Sequence, residues 1–171
     1  MTEVLPWLDR KFDFNFSVEL YPNLIARIRG TPPRLEDAVR GLSSEQLTAK
    51  PNGKWSIQEN AGHLLDEEDL FMRRLREYLA RADQLTPAPY KNRELKHNQR
   101  PIDLILSDFR SARGRQVELL DSLAAEDFAR TAWHPRLNVS MRLVDHLLFI
   151  AEHDDHHLAR IWELRRKKPG S

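Results

Sequence analysis

The stretch His146-Leu147-Leu148-Phe149-Ile150-Ala151-Glu152-His153-Asp154-Asp155-His156-His157 decides how this chain is read. It lies inside a helix predicted from about Ser140 to Arg166. Leu143, Leu147, Ile150, Ile161 and Leu164 recur there at helical spacing and form an apolar stripe. His146, His153 and His157 fall along the same strip. Histidines four apart on a helix project from one face, with Cβ atoms about 6 Å apart, so two imidazoles can share one metal ion. An unpartnered polar group in a core costs roughly 1–3 kcal/mol, and three imidazoles on one strip cannot easily satisfy each other. Such pairs also occur on ordinary helices, so ligand pair and core polar pair both stand at this point. His146 is seven residues before His153, about 10 Å along the axis. It reads as a core hydrogen-bonder or a support for the pair. His156 points elsewhere and reads as solvated.

Working outward, three further helical segments precede this one. The first covers roughly Tyr21 to Leu42 and is interrupted at Gly30-Thr31-Pro32-Pro33, where Thr31 can cap and Pro32 can take the first helical position. The second starts at Ser56, which with Glu59 forms a capping box after Trp55. Ile57, Ala61, Leu64, Glu68, Met72, Leu75 and Leu79 then recur to about Ala82. A connection rich in Pro and Asn runs from Asp83 to Arg100. The third helix opens at Pro101, with Ile102, Ile105, Leu106, Phe109, Arg113, Gln116, Leu120 and Leu123 on its inner face. Arg113 and Gln116 are its two polar interruptions. Arg113 also belongs to a cluster with Arg110 and Arg115, which as a group reads as a solvated face. Residues Ala124 to Asn138 read as irregular or short helix. Long helices with such stripes predict an all-α four-helix bundle, with residues 1–171 as a single domain.

His63 lies beside the stripe of the second helix rather than in its centre, and periodicity alone makes it a boundary residue. Glu67 shares its side, one turn on. His97 and His134 lie in connecting segments and read as surface histidines. Trp7, Trp55, Trp133 and Trp162 read as packing residues, and Arg165-Arg166-Lys167-Lys168 as a fraying basic helix end.

Composition narrows the function. Charged residues make up 31% and aromatics 8%, which suits a helical, water-soluble chain. The net charge of +1 gives no whole-chain signal for nucleic acid. No apolar run approaches the ~20 residues of a membrane span, and Met1 to Phe16 lacks the apolar core of a signal peptide. There is no cysteine. That fits a reducing cytoplasm, removes any internal thiol nucleophile, and restricts a transition-metal site to nitrogen and oxygen ligands.

Lys54-Trp55-Ser56-Ile57-Gln58-Glu59-Asn60-Ala61-Gly62-His63-Leu64, followed at this distance by the His146–His157 stretch, resembles the DinB/YfiT-like superfamily. The resemblance covers most of the chain, including the helix order and the long connection. It implies a four-helix bundle with a divalent metal, zinc or nickel, held by one histidine of the second helix and two of the last. Carried over, these are His63, His153 and His157. Many members continue with Arg-Gly-Gln after the last histidine, where this chain has Leu158-Ala159-Arg160. The ligands are kept, but a role for the glutamine position does not carry over. Several members are transferases or isomerases that use bacillithiol, mycothiol or related thiols, and homodimers are the family habit.

Three neutral ligands leave an open position on an ion, as in catalytic rather than structural zinc sites. Activation of water there gives a hydrolase acting on a small molecule. Activation of an external low-molecular-weight thiol gives a transferase. Glu67, Glu152 and Asp154 are the candidate supporting or proton-accepting carboxylates, with solvated helix charges as the plainer reading. A metal-binding bundle without catalysis, serving stress response or metal handling, is the rival function. A purely structural or dimerising bundle is a third.

Overall fold

The computed structural model describes residues 3–89 and 96–166. Six helices are set by local signals: α1 (Tyr21–Arg29), α2 (Thr31–Val39), α3 (Ser44–Thr48), α4 (Ile57–Leu79), α5 (Ile102–Asp121) and α6 (Leu143–Arg166). Helices α1 and α2 act as one broken rod, bent at Gly30-Thr31 and restarted by Pro32. With α4, α5 and α6 they make the four-helix bundle. Helix α4 packs between α5 and α6, and the α1–α2 rod closes the other side against both.

Helix α4 begins where the capping box requires. The Ser56 hydroxyl accepts the Glu59 N–H at 3.0 Å, and Glu59 accepts the Ser56 N–H at 2.8 Å. The expected cap at Thr31 is not made. Its hydroxyl donates instead to Asp154 Oδ2 at 2.6 Å, across to α6.

The segment after α5 departs from its expected form. Only Ala125–Ala129 is a short 3₁₀ turn. Beyond it lies a hairpin, β1 (Thr131–His134) with β2 (Val139–Arg142), in antiparallel register Thr131 to Arg142 and His134 to Val139. Alternation produces it: Ala132 and His134 point in, Thr131 and Trp133 out. Asn138 takes the left-handed conformation (φ 55°) that Asn tolerates in tight turns. Helix α6 therefore starts at Leu143 rather than Ser140, and Asp145 accepts the Arg142 N–H at its start.

The core falls into two apolar clusters. One joins Ile28, Phe71, Leu75, Leu120, Leu147 and Ile150 near the hairpin. The other joins Leu35, Ala61, Leu64, Ile105, Phe109 and Ile161. Between them every rod contributes buried polar residues, among them Thr31, Glu68, Arg113 and Asp154. Arg113, which the helical period sets on the inner face and the arginine cluster on a solvated one, is 1% exposed. Its guanidinium donates to Glu68 at 2.6 Å, to Asp154 at 2.5 Å and to the Ile28 carbonyl at 3.2 Å. Burial opposes its charge, but Asp154 and Glu68 together hold its pKa above the usual arginine value. Arg110 and Arg115 are exposed, as expected.

The described end of the long connection docks on α4. Gln58 Nε2 donates to the carbonyls of His97 and Arg100 at 2.6 and 2.8 Å, and His97 pairs with Asp66 at 2.9 Å. His97 is thus a docked residue rather than a loose surface one. Its ring lies so close to Gly62 that a Cβ there would sit 2.1 Å from His97 Cγ. Gly62→Ala, which in an exposed helix adds about 1 kcal/mol of stability, should here destabilise by roughly 1–3 kcal/mol. Urea melts of the two proteins check this; a more stable alanine variant would show that the segment does not pack there.

Candidate metal centre

Helix α4 carries His63 two turns past its cap, and α6 carries His153 and His157 on the face turned to it. The packing of α4 against α6 brings the three rings together, with one nitrogen of each within 4.8 Å of the others. His63 Nε2 and His153 Nε2 are 3.2 Å apart. Ring centroids are separated by 4.7 Å for His63 and His157, and by 4.6 Å for His153 and His157. His153 and His157 are each 5% exposed, and His63 is half-buried.

Burial sets the protonation state. The pKa values of His153 and His157 lie well below 6.5, first from burial and then from neighbouring imidazoles. Both rings are neutral at pH 7 and offer lone pairs. His157 Nδ1 donates to Asn60 Oδ1 at 2.9 Å, so its Nε2 carries the lone pair. Asn60 is buried on α4 one turn before His63. A buried amide inside a helix was the available signal for it, since Asn is a poor helix former there.

Aromatic rings wall the cluster. Trp7, from the N-terminal segment, meets His153 edge-on at 5.1 Å, and Trp55 lies 4.9 Å from His63. Trp7 also packs on His156 at 5.8 Å, so His156 is half-buried rather than solvated. Nothing in the sequence pattern links Trp7 to a helix more than a hundred residues away.

The candidate carboxylates separate cleanly. Asp154 is committed to Arg113 and Thr31 in the charged layer. Glu152 pairs with Arg10 and Arg27. Glu67 lines a cavity of about 160 Å³ that also holds His63 and His153. A larger hollow of about 710 Å³, on the α4–α5 side, contains no histidine.

Two other histidines are core residues. His134 is 1% exposed, because the inward position on β1 turns it into the bundle. Neither ring nitrogen of His146 has a hydrogen-bond partner among the described residues. Burial, then Arg74 and Arg136, lowers the His134 pKa from 6.5 to about 4. Burial and Arg74 lower His146 in the same direction. Between those two pH values the unfolded chain binds the proton that the folded ring refuses. Stability from His134 is therefore complete above pH 6.5 and is lost as pH falls towards 4, by up to about 1.4 kcal/mol per pH unit. Urea melts of chelator-treated protein at pH 7.5, 6 and 5 should show this fall. A flat profile would contradict it.

Among the described residues no helix is long and apolar enough to cross a membrane. Comparison with known proteins places these features in a lineage. The chain is 30% identical over 153 residues, 87% of each chain, to a Bacillus cereus (strain 03BB102) protein named "Putative metal-dependent hydrolase". A Bacillus thuringiensis subsp. konkukian (strain 97-27) protein of the same description matches equally. The structure of YfiT from Bacillus subtilis, described as a probable metal-dependent hydrolase with an unusual four-helix bundle topology, superposes with a TM-score of 0.80, 26% identity and 92% coverage of both chains. The sequence profile of the DinB superfamily matches residues 27–161, and the chain belongs to that superfamily.

Proposed function

We propose that this protein is a metal-dependent hydrolase of small molecules, with a divalent ion, zinc or nickel, held by His63, His153 and His157. The observation that carries the reading is the convergence of three imidazoles beside a cavity. Two nitrogens bound to one tetrahedral zinc at ~2.05 Å would be about 3.3 Å apart, and the 3.2 Å between His63 and His153 fits that edge. The donor set is all nitrogen and neutral, which suits either metal. Asn60 fixes which His157 nitrogen faces inward, the outer-layer support that ligating histidines need.

When bound, such an ion supplies Lewis-acid activation of water and of a scissile carbonyl. The chain supplies the rest. Glu67, on the cavity wall near His63, is the carboxylate placed to accept a proton. Trp7, Phe71 and Phe149 form apolar walls that limit water around the reacting groups. The names borne by the relatives and by YfiT support the same reaction class.

The test offers an ester and amide panel to zinc- or nickel-loaded protein and to chelated protein. Hydrolysis is expected only with metal, and Glu67→Gln should lower kcat by roughly 10²–10⁴ while keeping the metal. Because the chain has no cysteine, an external thiol is the second reading. Bacillithiol, mycothiol, glutathione and cysteine are added to the cobalt-substituted protein. Perturbed cobalt spectra with thiol-dependent turnover would favour a transferase; unperturbed spectra would remove that reading. The reading also takes the working form as a cytoplasmic homodimer.

A further inference from the structure

We propose that the cavity beside the three histidines takes a flat, neutral apolar group of phenyl size, and that Trp7, carried in by the N-terminal segment, sets that size limit. This deepens the hydrolase reading by naming a substrate class, an ester or amide with a small aromatic group. It rests on that reading only for the reaction at the metal end.

The cavity volume of about 160 Å³ is close to that of the ~150 Å³ apolar cavity known to hold benzene. Trp7, Leu8, Leu70, Phe71 and Phe149 supply apolar lining next to His63 and His153. The arginines of the lining are engaged within the protein. Arg74 Nε donates to the Thr86 carbonyl at 2.9 Å, and Arg136 Nη2 to the Trp7 carbonyl at 3.5 Å. What the lining offers a ligand is chiefly aromatic surface, which suits a neutral ring.

The inner and outer walls are built differently. Phe71 on α4 and Phe149 on α6 are 2% and 4% exposed. They are set in the packed bundle, where side chains have little room to yield. Trp7 is half-buried and comes from a segment, residues 3–16, in which no residue is buried. Its neighbour Leu8 lines the cavity and is 72% exposed. The N-terminal segment is thus the wall between cavity and solvent, and Trp7 is its bulkiest part.

Contacts fix the indole in that wall. Its ring meets His153 at 5.1 Å and Phe149 at 5.2 Å, so it reaches from a proposed ligand to the inner wall. The Phe12 ring lies 5.2 Å away, and the guanidiniums of Arg10 and Arg136 each lie 5.4 Å from the Trp7 ring centre. Arg10 also donates to the Glu152 carbonyl at 3.1 Å and pairs with the Glu152 carboxylate. Glu152 precedes His153, so the segment is held in register beside that ligand. The histidines themselves converge through the packing of α4 on α6. Removing the indole therefore opens the outer wall and leaves the ligand set in place. A fitted apolar pocket discriminates by about 10–200-fold for one methylene, and a second fused ring is a larger addition.

The experiment is NMR titration of the metal-free full chain with benzyl alcohol and 2-naphthalenemethanol, both neutral. Apolar area alone favours the larger alcohol. The native protein should instead bind benzyl alcohol at least about tenfold more tightly. Trp7→Ala should abolish or reverse that preference, and Trp7→Phe should keep part of it. Thermal melts show whether each variant is folded, and the milder one carries the test if Trp7→Ala is not. In zinc-loaded protein the kcat/KM values for p-nitrophenyl benzoate and p-nitrophenyl 2-naphthoate should follow the same order. Equal binding of the two alcohols by native protein, no binding of either at millimolar concentration, or a preference unchanged in both Trp7 variants would overturn the proposal. A Trp7-dependent preference in a protein that hydrolyses neither ester would sink the hydrolase reading and leave the Trp7-bounded pocket standing. Hydrolysis of both esters alike, with no preference between the alcohols, would do the reverse.

Discussion

Arg113→Met should destabilise the fold by about 3–5 kcal/mol, the cost of leaving buried charges without their partner. Arg113, Glu68 and Asp154 are 1%, 3% and 0% exposed, and the guanidinium donates to both carboxylates at hydrogen-bond distance. Burial already pushes the Glu68 pKa up, and Arg113 is the main group opposing that shift. Without Arg113 two carboxylates share an apolar layer, with the Thr31 hydroxyl still bonded to Asp154. For a domain of this size the loss corresponds to a fall in melting temperature of roughly 6–20 °C. Replacing the charged set together, Arg113→Met with Glu68→Leu and Asp154→Leu, should recover most of the deficit, since a buried ion pair adds little net stability over a packed apolar layer. Thermal and urea melts of the single and triple variants decide the matter. A single-variant loss below about 1 kcal/mol would mean that this layer is hydrated.

The second large effect concerns the metal. His153→Ala should lose bound zinc or nickel under conditions where His156→Ala keeps it, as read by metal analysis of untagged protein. At a metal concentration 100 times the dissociation constant the native chain gains roughly 2.7 kcal/mol, and His153→Ala gains almost none. Asn60→Ala keeps the ligands but frees the His157 ring, so affinity should fall about 10–100-fold. Stripped protein should retain its helical circular dichroism at 25 °C, because both apolar clusters form without the histidines. Equal metal retention by His153→Ala and His156→Ala would remove the proposed ligand set. An unfolded apo protein would show that the clusters alone do not suffice.

Much of this was legible along the chain. The Ser56–Glu59 capping box fixed the start of α4. The stripe of Leu143, Leu147, Ile150, Ile161 and Leu164 is buried along α6. His153 and His157 share the face that period predicts. The inner-face pattern of α5 also put Arg113 and Gln116 inside, against the competing reading of Arg113 as part of a solvated cluster. Each signal is local: a capping box spans one turn, and helical period repeats every 3.6 residues.

Other features were settled by contacts between distant segments. The bundle's charged layer depends on Arg113 meeting partners 45 and 41 residues away. Periodicity tells which way a side chain points, but not what waits there. His134 looked like a loop residue until β1 and β2 paired; strand pairing and not propensity turned it inward. His63 was a boundary residue on its own wheel, and only the packing of α4 on α6 brings it within reach of His153 and His157. The sequence by itself determined the long helices, the Ser56–Glu59 cap and the ligand-like pair, because those follow from backbone geometry within a few turns. Tertiary structure alone decided which charges are buried, which histidines converge and where the cavity lies, because burial and convergence belong to surfaces that meet only when the chain is folded.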